Sequence, residues 1–313
     1  MEFGNQTLLK ELIFTGFSQN LQICIFMFIF FLIIYTLIIL GNSFMICTII
    51  ISPQLHTPMY YFLCNLSFID LGYSSITLPK ILLDAFSMRR RISIIWCFAQ
   101  MNTGLFLGST EDSLLAVMAY DRYIAIRFPL HYSTIITWRA CHIITVIMWS
   151  GNFLITVMPI IAKPLVFCKG NQLDHFCCEI LAVLELACGD VAFHKMTIFF
   201  ASFFTLLAPF IFIVVSYISI IISILKIHSE GGRSKAFSTC ASHLTVVLML
   251  YGTSMITYVG QTMSTSSNLK YFALVYGVVT PVLNPLIYSL RNQEVKEAFK
   301  TILSKSSAAW SGS

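Results

Sequence analysis

The feature of this sequence that most limits its fold is a series of long apolar stretches with very few charged residues. A helix needs about 20 apolar residues to cross a bilayer core about 30 Å thick, because each residue adds about 1.5 Å. Seven stretches reach this length, and five of them contain no Asp, Glu, Lys or Arg. They lie near residues 23–51, 57–79, 96–126, 140–162, 196–225, 244–262 and 271–290. The chain is therefore predicted to be a membrane protein with seven spanning helices.

The composition and the pattern of the apolar residues exclude other broad classes. Of 313 residues, 57% are apolar and 11% are charged, whereas a soluble domain carries about 25% charged residues. The basic residues behind the net charge of +5 are scattered, which argues against a nucleic-acid partner. Strands of a membrane barrel are about 10 residues long and alternate in polarity, unlike these continuous runs. The predicted class is an all-α membrane protein.

Cysteines indicate which side of the membrane is extracellular. Five of them lie at or beyond the predicted helix ends on one side, and disulfides persist only in oxidising compartments. Asn5-Gln6-Thr7 is a glycosylation sequon on the same side, so Asn5 is the predicted glycosylation site. Lys and Arg are divided almost evenly between the two sides. We therefore predict an extracellular N-terminus (1–22), a seven-helix domain (23–290) and a cytoplasmic tail (291–313).

Short motifs at the helix ends resemble those of a known family. Asp121-Arg122-Tyr123 ends the third predicted helix, and Asn284-Pro285-Leu286-Ile287-Tyr288 ends the seventh, as in rhodopsin-like G-protein-coupled receptors. Pro58-Met59-Tyr60-Tyr61-Phe62-Leu63 and the run from Lys235 to Leu244 resemble the olfactory receptor family within that class. The sixth helix lacks the Cys-Trp-x-Pro motif of other rhodopsin-like receptors, which also favours the olfactory branch.

The resemblance implies a rhodopsin-like seven-helix bundle in the plasma membrane that binds a small volatile odorant. Its partners would be membrane lipid and a stimulatory heterotrimeric G protein that raises cAMP. Arg127 stands where the family usually has Cys, which adds a positive charge at the cytoplasmic surface. The residues implied in G-protein coupling and switching are Asp121, Arg122, Tyr123, Tyr217, Asn284, Pro285 and Tyr288.

The resemblance also implies two disulfides on the extracellular side. Cys97 would pair with Cys178, and Cys168 with Cys188, which leaves Cys177 over. Cys177 lies beside His175 and Glu179, residue types that bind zinc or copper. The spacing lacks a C-x-x-C pair, so an unpaired structural cysteine is the alternative.

Two acidic residues are predicted near mid-membrane, where an ionised carboxylate costs about 2.5–3.5 kcal/mol. By resemblance, Asp70 and Glu111 would bind a sodium ion or share a proton, together with Asn284 and Asn42. The alternative is a protonated pair in a polar network without an ion. Asp112 is not assigned to this group, because one residue turns a helix by about 100°. No other cofactor is expected.

One face of the third predicted helix is a candidate ligand surface. It carries Met101, Gly104, Leu105, Gly108 and Ser109 at helical spacing, and its two glycines leave space. Receptors for protonated amines have an Asp at the position of Gly104, so its absence predicts a neutral ligand. By family position, the facing residues are Ser202, Thr205 and Leu206 on the fifth helix, Tyr251, Ser254, Met255 and Tyr258 on the sixth, and Gly277 on the seventh.

The C-terminal tail has the residue pattern of an amphipathic helix. Val295, Ala298, Phe299, Ile302 and Leu303 form one apolar face, which predicts a short amphipathic helix along the inner leaflet.

A non-olfactory rhodopsin-like receptor is the main alternative function. A small-solute transporter is a further alternative, although no internal repeat is evident. Motifs typical of enzymes, such as H-E-x-x-H or G-x-S-x-G, do not occur, so no enzymatic activity is expected.

Overall fold

A computed structural model describes residues 10–87, 89–168, 170–188, 191–226, 230–263, 269–291 and 294–302. Within these ranges the chain forms seven long helical segments that match the seven predicted stretches. They are helix 1 (Leu21–Ile51), helix 2 (Pro58–Phe86), helix 3 (Ile94–Arg127), helix 4 (Trp138–Thr156, continued by Met158–Ala162), helix 5 (Val191–Ser202, Phe203–Leu207 and Ala208–Leu225), helix 6 (Glu230–Met263) and helix 7 (Leu269–Arg291).

Several boundaries differ from the predicted ones for identifiable reasons. Helix 2 continues past Pro79 to Phe86, because neighbouring helices support the chain where a proline removes one backbone hydrogen bond. Helix 6 begins at Glu230, well before the apolar stretch near 244–262, since a helix extends beyond the apolar part of its sequence. Helix 5 widens into a π-helical turn over Phe203–Leu207 just before Pro209, a common place for such a bulge.

The helix exteriors are apolar enough for a membrane. By length and composition, three helical stretches among the described residues could each cross a bilayer: Leu21–Ile51, Trp138–Ala162 and Val191–Leu225. Shorter apolar segments, His243–Ile256 and Gly277–Tyr288, lie in helices 6 and 7. Large side chains such as Phe26, Val146 and Phe199 remain more than 60% exposed on the outer faces. An exterior of this kind is favourable in lipid and unfavourable in water.

Helix 3 lies at the centre of the bundle, in contact with helices 2, 4, 5 and 6. Its polar side chains face inward, where Thr110, Glu111, Asp112 and Asp121 are all buried. Apolar side chains such as Leu114 fill the spaces between them. Helices 2 and 3 thus hold their acidic residues in the protein interior and not toward the apolar exterior.

Two small sheets in the connecting segments depart from the all-α prediction. Strand β1 (Glu11–Phe14) pairs antiparallel with β2 (Arg91–Ser93) and parallel with β4 (Gln172–Leu173). Strand β3 (Val166–Phe167) pairs antiparallel with β5 (Ala187–Cys188). Leu12 and Phe14 are buried while Glu11 is exposed, a period-2 alternation too short to stand out in the sequence.

Arg90 fastens the N-terminal segment to the connection between helices 2 and 3. Its backbone has a positive φ of 39°, which few residues other than glycine adopt. Its guanidinium donates to the carbonyl oxygens of Phe17 (3.0 Å) and Ser18 (2.8 Å) and lies 5.2 Å from the Phe17 ring centroid. These bonds offset the cost of the backbone conformation. Arg90 therefore has a structural role at this end of the bundle.

The short helix predicted after helix 7 is present over residues 294–302. Val295 and Ala298 are each 1% exposed, and the Phe299 ring packs edge-on against Phe44 at 4.6 Å. The phenol of Tyr60 donates to Glu294 Oε2 at 2.6 Å. The apolar face of this helix is thus docked on helices 1 and 2.

Candidate functional site

A cavity of about 100 Å³ lies beside the N-terminal half of helix 3. Helices 2, 4, 5 and 6 contribute to its wall, and the connection between helices 4 and 5 covers it. Nine of the residues predicted to bind ligand line this cavity, which brings together both glycines of helix 3 and most of the predicted hydroxyl groups. They are Met101, Gly104, Leu105, Gly108, Ser109, Ser202, Thr205, Leu206 and Ser254.

The other predicted ligand residues do not line the cavity. Tyr251 is fully buried, and its phenol donates to the Asp112 carbonyl oxygen at 2.8 Å. Met255 packs against the apolar core, and a Cβ at Gly277 would lie 2.9 Å from the Tyr73 ring. Gly277 therefore leaves room for Tyr73, which does line the cavity. The side chain of Tyr258 lies outside the described residues.

The structure adds lining residues that the sequence analysis missed. Helix 4 contributes Ile155, Thr156, Pro159 and Ile160, for which no local signal exists because only the packing of helices 3 to 5 brings them here. Asp112 could have been found, because it lies eight residues after Gly104 and four after Gly108 on the same helix face. The remaining additions include Tyr73, Thr77, Gln100, Cys177, Glu179 and Thr197.

Two disulfides hold the cover of the cavity in place, and both have the predicted pairing. Cys97 is bonded to Cys178 with a Cα–Cα distance of 5.4 Å, and Cys168 to Cys188 with 5.8 Å. The Cys178 N–H also donates to Gln100 Oε1 at 2.8 Å. Residues 177–180 are thereby fixed against the N-terminal end of helix 3.

His175, Cys177 and Glu179 do not combine into a metal site in the described part of the chain. Cys177 Sγ lies 3.6 Å from His175 Nδ1, but Glu179 Oε2 instead accepts from the N–H groups of Leu181 (2.8 Å) and Ala182 (3.2 Å). The carboxylate thus caps the short helix Ile180–Glu185. Glu179 therefore stabilises the local structure, and it also lines the cavity.

Burial controls the protonation of these three groups. It lowers the pKa of His175 to about 4, so the imidazole is neutral at physiological pH. Burial, with a smaller contribution from the nearby Glu179, raises the pKa of Cys177 to about 12 and keeps the thiol protonated. Burial also raises the pKa of Glu179 to about 7, against the opposing effect of the backbone N–H groups that it accepts from. Glu179 therefore titrates near physiological pH.

Beneath the cavity, two buried carboxyl groups meet at one amide. Asn284 Nδ2 lies 3.0 Å from Asp70 Oδ2 and 3.3 Å from Glu111 Oε1. Asn42 joins helix 1 to helix 7 through the Pro281 carbonyl oxygen at 3.1 Å, without bonding to either acid. Three of the four predicted residues are in direct contact, and helices 2, 3 and 7 are joined at this point.

At the C-terminal end of helix 3, Asp121 and Arg122 differ in their hydrogen bonding. Asp121 is 1% exposed and accepts from the Tyr132 phenol at 2.7 Å. Among the described residues, Arg122 forms no ion pair, and its Nε is buried without a hydrogen-bond partner. Tyr217 of helix 5 reaches helix 6 at the Cys240 carbonyl oxygen (3.3 Å), and Tyr288 is buried nearby in the same core. The structure therefore leaves one buried donor of the Arg122 guanidinium without an internal partner among the described residues.

Comparisons with known proteins give one consistent result. A family profile described as olfactory receptor matches residues 31–306. Olfactory receptor 13C9 of Homo sapiens is 44% identical over 308 residues, which cover 96% of this chain and 97% of that protein. Olfactory receptor 13C2 of Homo sapiens is 42% identical over 97% of this chain and 98% of its own length. Olfactory receptor 5AR1 of Mus musculus is 40% identical, with 97% and 99% covered.

Proposed function

Because this chain belongs to the olfactory receptor family, we propose that it is an odorant receptor that binds a small volatile molecule in the cavity beside helix 3. The family consists of G-protein-coupled membrane receptors, which signal and are not enzymes. Binding would activate a stimulatory heterotrimeric G protein at the opposite end of the bundle and raise cAMP.

The observation that carries this proposal is the cavity itself. Its volume of about 100 Å³ lies below the range of about 300–1,000 Å³ typical of drug-sized ligands, so it suits a small molecule. Its wall combines apolar side chains with a few hydroxyls, including Ser109, Ser202 and Thr205. Such a wall provides apolar contact for a volatile molecule and a small number of hydrogen bonds for orientation.

The coupling end is proposed to act through Arg122 and the side chains around it. A guanidinium without an ion pair, near the end of helix 3, can donate several hydrogen bonds to a protein partner. Tyr123, Tyr217, Pro285 and Tyr288 lie on helices 3, 5 and 7 around this end. Movement of helix 6 relative to helix 3 would change the surface that they present.

A sodium ion or a shared proton is proposed for the buried acids. Ser74 Oγ, one turn from Asp70, and Asn284 Oδ1 are both buried without hydrogen-bond partners. With Asp70 and Glu111 they form a set of oxygen atoms that fits a hard cation. When bound, an ion would balance the carboxylate charge in the interior. A proton shared by the two acids would serve the same purpose.

The proposed orientation follows the disulfides and the sheets. The N-terminus, β1–β5 and both disulfides would face the exterior of the cell, with Asn5, which lies outside the described residues, as a glycosylation site. The helix over 294–302 would lie along the inner leaflet of the plasma membrane, and the tail would be cytoplasmic.

Expression in cells with a cAMP reporter tests the proposed function. A panel of volatile alcohols, aldehydes, ketones, esters and amines should contain at least one agonist with a saturable response. Cells that express Arg122→Ala at the same surface level serve as the matched control. If every compound gives the same signal with and without the receptor at the cell surface, the proposal is wrong. Solute flux without any cAMP response would favour a transporter.

A further inference from the structure

The cavity wall contains two acidic side chains and no basic one among the described residues. Asp112 lies on helix 3, and Glu179 lies in the connection that covers the cavity. The sequence predicted a neutral ligand because position 104 is glycine. The structure places a carboxyl group on the same face of helix 3, eight residues further inward, or about 12 Å by helical rise.

One carboxyl oxygen of Asp112 has no partner among the described residues that explains its burial. The residue is 6% exposed, and its Oδ1 is buried without a hydrogen-bond partner among the described residues. By contrast, Asp70 accepts from Asn284 and Asp121 accepts from Tyr132. A carboxyl group inside a membrane bundle without such a partner marks a functional site. A ligand in the cavity can supply the missing partner.

Resting on the proposed function, we propose that the ligand of this receptor is a small aliphatic amine whose ammonium group pairs with Asp112. The carboxylate of Asp112 would accept one or two N–H bonds, and the alkyl chain would lie along Gly108, Gly104 and Leu105 toward the cover. Glu179 adds a second acidic group at the outer side of the cavity, which favours entry of a cation over an anion. An alcohol or ketone has no positive charge to pair with Asp112.

The position of Asp112 also connects the ligand to helix 6. The phenol of Tyr251 donates to the backbone carbonyl oxygen of Asp112 at 2.8 Å. Tyr251 is 1% exposed and packs on Phe210 of helix 5, with 5.3 Å between ring centroids. An ammonium group held at Asp112 therefore binds next to the point where helices 3, 5 and 6 meet.

The test uses the full chain in lipid nanodiscs and ligand-induced thermal stabilisation. The probes are butylamine, hexylamine and octylamine, each compared with the alcohol of the same chain length. At least one amine should raise the unfolding temperature, with its alcohol partner at least about tenfold weaker, because hydrogen bonds to a charged group are stronger than neutral ones. If no amine binds the wild-type protein more tightly than its alcohol does, the inference is overturned without any variant.

Variants identify the group responsible. Asp112→Asn and Asp112→Ser should each weaken amine binding at least about tenfold and change alcohol binding little. Asp174→Asn is the matched control, because Asp174 is exposed and paired with Lys270 at 2.6 Å, outside the cavity. Equal amine binding by the Asp112 variants and the wild type would contradict the assignment.

The cAMP assay separates this inference from the proposed function. Amine binding in nanodiscs without any cAMP response to volatiles would contradict the odorant-receptor function and support the amine site. Alcohol or ketone agonists together with no amine binding would support the receptor function and overturn the amine site.

Discussion

The phenol oxygen of Tyr217 lies 2.7 Å from His243 Nδ1, and the two rings stack with an interplanar angle of 7°. The opposite nitrogen, His243 Nε2, lies 3.1 Å from the Leu115 carbonyl oxygen. A neutral imidazole satisfies both contacts when Nε2 donates to the carbonyl and Nδ1 accepts from the phenol. His243 therefore joins helices 3, 5 and 6 in one buried contact.

Replacing His243 with Phe should raise basal cAMP. The phenyl ring keeps the stacking with Tyr217, but both hydrogen bonds of the imidazole are lost. The two bonds together are worth about 2 kcal/mol, so helix 6 should be displaced about 30-fold more often. The measurement is basal cAMP at matched surface expression.

His142→Phe is the matched control for that variant. His142 Nδ1 lies 3.2 Å from the Tyr61 phenol and its ring also packs on a tyrosine, but this pair is on the outside of the bundle. Basal cAMP should not change in His142→Phe. An unchanged or lower basal signal in His243→Phe would show that the buried contact does not restrain helix 6.

Arg122→Ala should abolish odorant-evoked cAMP while surface expression stays close to wild type. The guanidinium has no ion pair among the described residues, so its removal costs little folding energy but deletes the donors offered to a partner. Arg139→Ala, at an exposed residue near the start of helix 4, is the control and should signal normally. Normal evoked cAMP in Arg122→Ala would remove Arg122 from the coupling surface.

Cys97→Ser and Cys178→Ser should each prevent surface delivery, whereas Cys177→Ser should be mild. The Cys97–Cys178 bond joins residues 81 positions apart, and such a disulfide contributes about 2–4 kcal/mol. Cys177 forms no disulfide, and its loss removes only a neutral thiol. Surface labelling of intact cells is the measurement. Equal loss of surface label in all three variants would contradict the expected difference between Cys177 and the two disulfide-bonded cysteines.

Gly108→Leu should weaken responses to larger agonists first. A leucine side chain would enter a cavity of about 100 Å³, and overpacking typically costs about 1–3 kcal/mol, or about 5- to 150-fold in affinity. Ser109→Ala is the comparison, since it removes a hydroxyl that donates to the Phe106 carbonyl oxygen at 3.0 Å without adding volume. Unchanged dose–response curves for every agonist in Gly108→Leu would place the ligand elsewhere.

The ionisation of Glu179 should lower the free energy of unfolding of the receptor as the pH rises from about 4.5 to about 7. Burial raises its folded pKa to about 7 from an ordinary value of 4.5, so the folded state binds more protons in this window. His175 acts in the opposite direction, because its lowered pKa of about 4 makes stability rise as the pH rises toward 6.5. The wild type therefore shows the sum of two opposing effects.

The difference between wild type and Glu179→Gln isolates the Glu179 contribution. The unfolding temperature of the purified receptor should fall relative to that of the variant as the pH increases from 5 to 8. Gln keeps an oxygen that can cap residues 180–185, so the local structure is retained. Parallel pH profiles for the two proteins would contradict a pKa near 7.

The apolar pattern of the sequence was sufficient for the helices, and helical spacing was sufficient for most of the helix 3 face that lines the cavity. The disulfide pairing came from the resemblance to a family, since the spacing of the cysteines does not determine it. Charge-free apolar stretches determine where helices can form, because a buried or lipid-facing charge is costly wherever it occurs. An α-helix has 3.6 residues per turn, so the spacing of Gly104, Gly108 and Ser109 places them on one helix face. These features are local, and local physics predicts them.

Only the tertiary structure decided which other residues meet that face. Pro159 of helix 4 and Glu179 of the covering connection reach the cavity through packing between distant segments, while Gly277 is excluded because Tyr73 fills its space. The His243 contact with Leu115 joins residues 128 positions apart. The neutral ligand predicted from the helix 3 face and the amine proposed from Asp112 differ because the proposal also uses the burial and missing partner of one carboxyl oxygen, which only the tertiary structure shows. The sequence determined the part of the cavity wall that lies on helix 3. The packing of helices 3 to 6 and of the covering connection decided which other residues complete the wall.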